Sequence, residues 1–187
     1  LSVGSVMYLA PLVAGLLMRE AGVDVGVALL ACVATGAALG AVNALLIVGL
    51  RVIPFIVTLA TLFVFRGFGT WLSQSQAVDF PDAVRGFGLG AVLGVPVPIL
   101  VFALVALLAH VVLRHTAFGR QVTAFGNDPL AARKAGLPVR RIEAAVYVIS
   151  GASAALAGFV LLAQIGRLDA GFGEGREFDV IAAAVLG

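Results

Sequence analysis

Charge is absent or nearly absent from four long stretches of the chain, residues 3–18, 25–50, 89–113 and 142–166, and a fifth, 53–72, carries only Arg66. A hydrocarbon core about 30 Å thick is crossed by roughly 20 apolar residues in helix, so each stretch predicts a spanning helix. A sixth begins near Phe178. Pro54 opens the fifth stretch, where a missing N–H costs nothing because the first helical turn has no partner for it. A soluble core of buried helices would require polar faces that these runs lack. The pattern therefore predicts an all-α, polytopic transmembrane bundle of about five spans plus the sixth, forming a single domain over 1–187.

The connections alternate in charge. Residues 19–24 hold Arg19, Glu20 and Asp24; 49–52 hold Arg51; 73–88 hold Asp79, Asp82 and Arg85; 167–177 hold Arg167, Asp169, Glu174, Arg176 and Glu177. The connection 114–141 is strongly basic: between 114 and 143 lie Arg114, Arg120, Arg133, Lys134, Arg140 and Arg141, six of the twelve basic residues, against Asp128 and Glu143. Basic connections stay in the cytoplasm, so the order supports five crossings and puts the first residues on the cytoplasmic side.

Composition agrees, with 61% apolar residues, 12% charged and a mean hydropathy of +1.13. The net charge of +2 is concentrated in one connection and gives no basic face for nucleic acid. Cys32 is the single cysteine, which excludes an internal disulfide and reads as a small packing residue. The opening at Leu1 and the close at Gly187 within an apolar run suggest a fragment, and no signal peptide is legible.

Small residues recur at helical spacing: Gly36 and Gly40, Gly90 and Gly94, and Gly151, Ala154, Ala155 and Gly158. Such faces let helix backbones approach closely in lipid, where packing drives association. Arg66 is the one charge well inside a run, and either snorkels to the outer headgroups or serves a solute pathway. Asn43, Thr58, Thr61, Ser150, Ser153 and Gln164 are uncharged polar residues at depth, suited to a polyhydroxy solute or to helix-to-helix hydrogen bonding. No complete span has a carboxylate in its interior, which disfavours an ion-coupled carrier. His110 and His115 lack a nucleophile or paired ligands, so no catalytic residue is assigned.

Within the basic connection a short helix has readable ends. Asp128 caps it, Pro129 fits its first position, Leu130 to Ala135 favour helix, and Gly136 with Leu137-Pro138 stops it. Under two turns long, it needs something to pack against.

Phe118-Gly119-Arg120, Ala124-Phe125-Gly126-Asn127, Ala131-Ala132-Arg133 and Ala135-Gly136-Leu137 together resemble the cytoplasmic coupling loop of bacterial ABC-importer permeases for ribose, xylose, galactose and related sugars, in the branched-chain amino-acid/sugar permease superfamily. Leu1-Ser2-Val3-Gly4-Ser5 resembles that family's LSVGS motif, Pro54-Phe55-Ile56-Val57-Thr58-Leu59 its PFIVTL motif, and Glu177-Phe178-Asp179-Val180-Ile181-Ala182-Ala183 its YELDAIAA motif. The resemblance covers essentially the whole chain.

It implies a permease in the bacterial inner membrane, paired with a second permease copy, cytoplasmic ABC ATPase subunits and an extracytoplasmic sugar-binding protein. The ATPase-coupling residues would be Gly126, Asn127, Asp128, Ala131, Ala132, Arg133 and Gly136. The candidate pathway residues are Asn43, Thr58, Thr61, Arg66, Glu177 and Asp179. The chain has no G-x-x-x-x-G-K and therefore no P-loop, so it needs no cofactor of its own and ATP with magnesium belongs to the ATPase. Other cargoes of the same machinery are a signalling furanose, a nucleoside or a branched-chain amino acid; an ATP-independent carrier is a separate class. Residues 167–187 would form an outer gate, although Gly171-Phe172-Gly173-Glu174-Gly175-Arg176 departs from the family's usual stretch.

Overall fold

A computed structural model describes residues 1–92 and 94–186, with the backbone alone at Asp82, Ala83 and Val92. The side chain of Asp82, one of the connection charges noted above, therefore lies outside the described residues. The chain runs α1 (Val3–Ala21), α2 (Val25–Ala44), a π-helical turn (Leu45–Gly49), α3 (Pro54–Leu72), β1 (Val78–Asp79), α4 (Asp82–Leu89), β2 (Ala91–Val92), β3 (Val95–Pro96), α5 (Val97–His115), α6 (Ala117–Asn127), α7 (Pro129–Lys134), α8 (Val139–Ile165), β4 (Arg167–Leu168) and α9 (Arg176–Leu186). Five of the described helices, α1, α2 with its π turn, α3, α5 and α8, are long and apolar enough to cross a membrane.

Helix ends follow local chemistry. Asp24 caps α2 by accepting from the Gly26 N–H at 3.0 Å. Gly166 closes α8 at φ +76°, a left-handed turn that costs a residue without Cβ little. The core centres on α1, which is buried along most of its length, with Tyr8, Leu12, Phe159 and Leu162 among the most enclosed side chains. An apolar helix surrounded by other helices has no need of a polar face, and α1 has none inside the bundle.

The glycine faces meet. A Cβ on Gly40 would stand 2.9 Å from the Val148 Cα, and one on Gly151 would stand 3.0 Å from the Gly40 Cα. The Cys32 thiol packs here too, 3.5 Å from the Ala155 carbonyl. On the neighbouring face of α8, a Cβ at Gly158 would stand 2.8 Å from the Met7 Cα of α1. Backbone-to-backbone approach of this kind is open only to small residues.

Strands β1 and β4 pair antiparallel, Val78 with Leu168 and Asp79 with Arg167. This joins the connections 73–88 and 167–177 at one end of the bundle, as the charge alternation requires. At the opposite end, the turn around Arg51 shares a groove with Arg133 and Arg140.

Four expectations need correction. The run 89–113 does not make one helix: Ala91–Val92 pairs with Val95–Pro96 in a hairpin, and the helix starts at Val97. Gly90 thus follows α4 in extended backbone and Gly94 sits in the hairpin turn at φ +81°, so the two do not form a helix-packing motif. Hydropathy misses this because an apolar hairpin and an apolar helix have the same composition, whereas Gly94 favours the turn and Pro96 suits the position just before a helix. The connection 114–141 is mostly helical: α5 continues to His115, α6 and α7 follow, and α8 begins at Val139. Similarly, 73–88 contains β1 and most of α4, whose Phe87 packs edge-on to Phe159 at 6.3 Å between ring centroids. Finally, α1 begins beside Thr61, about two turns into α3, so Leu1 lies within the depth of the spans and not at the cytoplasmic face.

Candidate functional site

Asn43, Thr61 and Ser2 form a buried relay at the start of α1. The Asn43 amide donates to the Ser2 hydroxyl at 2.9 Å, and the Thr61 hydroxyl donates to the Asn43 carbonyl oxygen at 2.8 Å. All three are buried, so these bonds satisfy groups that would otherwise be costly in an apolar interior. Thr58 lies apart from the relay, donating to the Pro54 carbonyl at 2.9 Å. It does line an adjoining cavity of about 70 Å³, together with Asn43, Ser150 and Gly151. The hydrogen bonds of Asn43 and Thr61 join α1, α2 and α3, whereas those of Thr58 stay within α3.

Arg66 is engaged by backbone carbonyls of the chain itself. Its guanidinium donates to the carbonyls of Ala170 at 2.6 Å and Phe172 at 3.4 Å, and lies 5.7 Å from the centre of the Tyr8 ring. The Tyr8 hydroxyl in turn lies 3.1 Å from the Ser73 hydroxyl. A guanidinium offers five donors in a rigid fork and suits an aromatic face, so one side chain fastens the 169–175 turns to α1 and α3. Arg66 is thus a clasp on the segment expected to form the outer gate.

The two acidic candidates differ. Asp179 is exposed and pairs with Arg176 at 3.1 Å, an interaction worth little in water. Glu177 points one carboxylate oxygen inward, where no hydrogen-bond partner meets it among the described residues. A Cβ on Gly4 would stand 2.5 Å from that oxygen, so glycine is what makes room for it. An unpaired buried carboxylate oxygen is expensive, which singles out Glu177 over Asp179 as the functional candidate.

At the other end α5, α6, α7 and α8 make a continuous set of corners. The Thr116 hydroxyl caps α6 through the Gly119 N–H at 3.1 Å and donates to the Val112 carbonyl at 2.6 Å. Asp128 caps α7, accepting from the N–H groups of Leu130 at 2.8 Å and Ala131 at 3.0 Å. Gly136 leaves α7 at φ +79°. Gly126, Asn127, Ala131, Arg133 and Gly136 are exposed, whereas Ala132 is buried beneath α7. The seven coupling candidates therefore divide: Ala132 seats the helix on α6 and α8, and Leu130, which residue type alone did not single out, stands out from it at 72% exposure.

Residue-type reasoning also missed Ser2, Tyr8 and Ser73 as parts of these networks. Nothing in charge or spacing marks them, since their partners are distant in sequence.

A family model described as the branched-chain amino acid transport system permease component matches residues 1–187. The chain belongs to this family. Its relatives include the ribose import permease protein RbsC of Escherichia coli K12, 37% identical over 194 aligned residues that cover all of this chain and 60% of the relative. The ribose import permease protein RbsC of Bacillus subtilis 168 is 38% identical, covering all of this chain and 59% of the relative. The D-allose transport system permease protein AlsC of Escherichia coli K12 is 35% identical, again over the whole chain and 58% of the relative. The chain thus spans about 60% of the length of these permeases. No solved structure matches it.

Proposed function

We propose that this chain is part of the transmembrane permease subunit of an ATP-driven importer for a monosaccharide of the ribose or hexose kind, in a bacterial inner membrane. It is a transport subunit and not an enzyme. ATP and magnesium act on separate cytoplasmic ATPase subunits, an extracytoplasmic binding protein delivers the sugar, and a second permease copy completes the path. The observation that carries this reading is the capped α7, which rests on α6 and α8 through Ala132 and turns Leu130 and Ala131 outward as a docking face.

From that face the route inward is a rigid one. Helix α8 runs 27 residues, about 40 Å at 1.5 Å per residue, from α7 to β4 and the segment that Arg66 clasps. A displacement of α7 by the ATPase is passed along α8 to the opposite end, where the clasp couples it to α1 and α3. The polar relay at Asn43 lies beside that route and holds α1, α2 and α3 together while the path is closed.

The test is uptake of labelled pentoses, hexoses and a signalling furanose by proteoliposomes that hold the full-length permease, its ATPase and its binding protein. Uptake of one solute that requires internal ATP supports the assignment and names the cargo. ATP-independent flux rejects it. Ala131→Glu abolishes ATPase co-purification and uptake while membrane insertion is retained; normal co-purification would remove α7 from the mechanism.

A further inference from the structure

The end of the bundle that carries α7 has a second feature, which reaches beyond α7 to the starts of α3 and α8. Between the turn that follows the π-helical segment and the start of α8 lies an open groove of about 540 Å³. Ile47, Val52 and Val139 supply apolar walls, and Arg51, Arg133 and Arg140 supply cations. Pro54 and Val139 are the first residues of α3 and α8, so the groove lies where spanning helices end, at headgroup depth.

Its arginines form no ion pair among the described residues. All three arginines are exposed, and among the described residues the ion pairs within 4.0 Å are Arg167 with Asp79 and Arg176 with Asp179. Glu143 also lines the groove, which leaves three guanidinium groups facing one carboxylate. Arg51 is held at φ +58°, a left-handed conformation that glycine adopts freely and arginine does not.

We propose that this groove binds an anionic phospholipid, with Arg51 and Arg140 on the phosphodiester and an acyl chain along Ile47, Val52 and Val139. Guanidinium forks match phosphate oxygens in geometry and charge. Basic pockets between spanning helices at the cytoplasmic boundary are suited to acidic headgroups. Arg133 is shared with the coupling face of α7, whereas Leu130 and Ala131 do not line the groove, so the assignment rests on Arg51 and Arg140. The assignment needs only a membrane-inserted chain and is independent of the cargo.

The test uses the full-length permease in a neutral detergent, with binding of fluorescent phosphatidylglycerol and fluorescent phosphatidylcholine measured side by side. Phosphatidylglycerol binds preferentially, and R51Q/R140Q weakens it about thirtyfold, the loss that follows from roughly 1 kcal/mol per basic residue facing an anionic headgroup. R114Q/R120Q, which removes two exposed cations outside the groove, leaves it unchanged. R51G, which relieves the left-handed turn, also weakens lipid binding without lowering the thermal unfolding midpoint. Equal binding of the two lipids, an unchanged R51Q/R140Q, or an equal loss in R114Q/R120Q would overturn the proposal. Displacement by millimolar inorganic phosphate would assign the groove to a free anion instead. Loss of ATPase co-purification in R51Q/R140Q with lipid binding intact would assign it to the ATPase.

Discussion

Helices α8 and α5 are both long and apolar enough to span a membrane, yet they hold opposite places in the fold. Along α8, Gly151, Ala154, Ala155 and Gly158 are buried against α2 and α1. Along α5, none of the described residues is buried, and Phe102 is 74% exposed. That buried stretch of α8 is made of small residues, whereas the most exposed residues of α5 are large and apolar. In lipid a large apolar side chain gains nothing by leaving the acyl chains, whereas a glycine or alanine lets two backbones approach until many weak contacts add up. Hydropathy puts both helices in the membrane, and small residues decide which of them joins the seam.

The largest test of this contrast is Gly151→Leu. Its side chain has no room beside Gly40 and forces α2 away from α8, with an expected loss of about 3 kcal/mol, the upper end for overpacking, read as thermal unfolding of the detergent-solubilised full-length protein. Stability close to wild type would mean that the seam is loosely packed. Asn43→Leu comes next. It removes two buried hydrogen bonds and is expected to cost about 1–2 kcal/mol by the same measurement.

Asp128→Ala removes a double cap from α7 at about 1 kcal/mol, and is better read as faster hydrogen exchange at Leu130 and Ala131 than as a shift in global unfolding. The smallest expected effect is Leu107→Ala on α5, within about 0.5 kcal/mol, since lipid refills the space. A loss of 2 kcal/mol or more there, in the range of buried large-to-small substitutions, would show that protein outside this chain covers α5 and would end the contrast.

Much of the molecule is legible without coordinates. Long uncharged runs report spans because the hydrocarbon core tolerates little else, and the caps of α7 are legible because Asp128, Pro129 and Gly136 act on their own backbone neighbours. The candidate site was less legible. Arg66 stands out as a charge in a span, but its partners are the carbonyls of Ala170 and Phe172, more than a hundred residues away and of a kind that every residue carries. Asn43 and Thr61 stand out as polar, and their joint partner Ser2 does not. Of Ala131 and Ala132, identical in type and adjacent, one faces outward and one inward, since a single step turns the side chain by about 100° around the helix axis.

The sequence by itself determined the class of this protein, its number of spanning helices, which connections share an end and where α7 begins and stops. These depend on transfer to lipid, on charge at the boundary and on caps, which act within a few residues. Only the tertiary structure decided that the run 89–113 divides into a hairpin and a helix, that Ser2, Asn43 and Thr61 meet, and that α8 packs along α2. It also made Arg66 a clasp and collected Arg51, Arg133 and Arg140 around one groove. Those features depend on which backbones come within contact distance, and composition along the chain does not encode distance between segments.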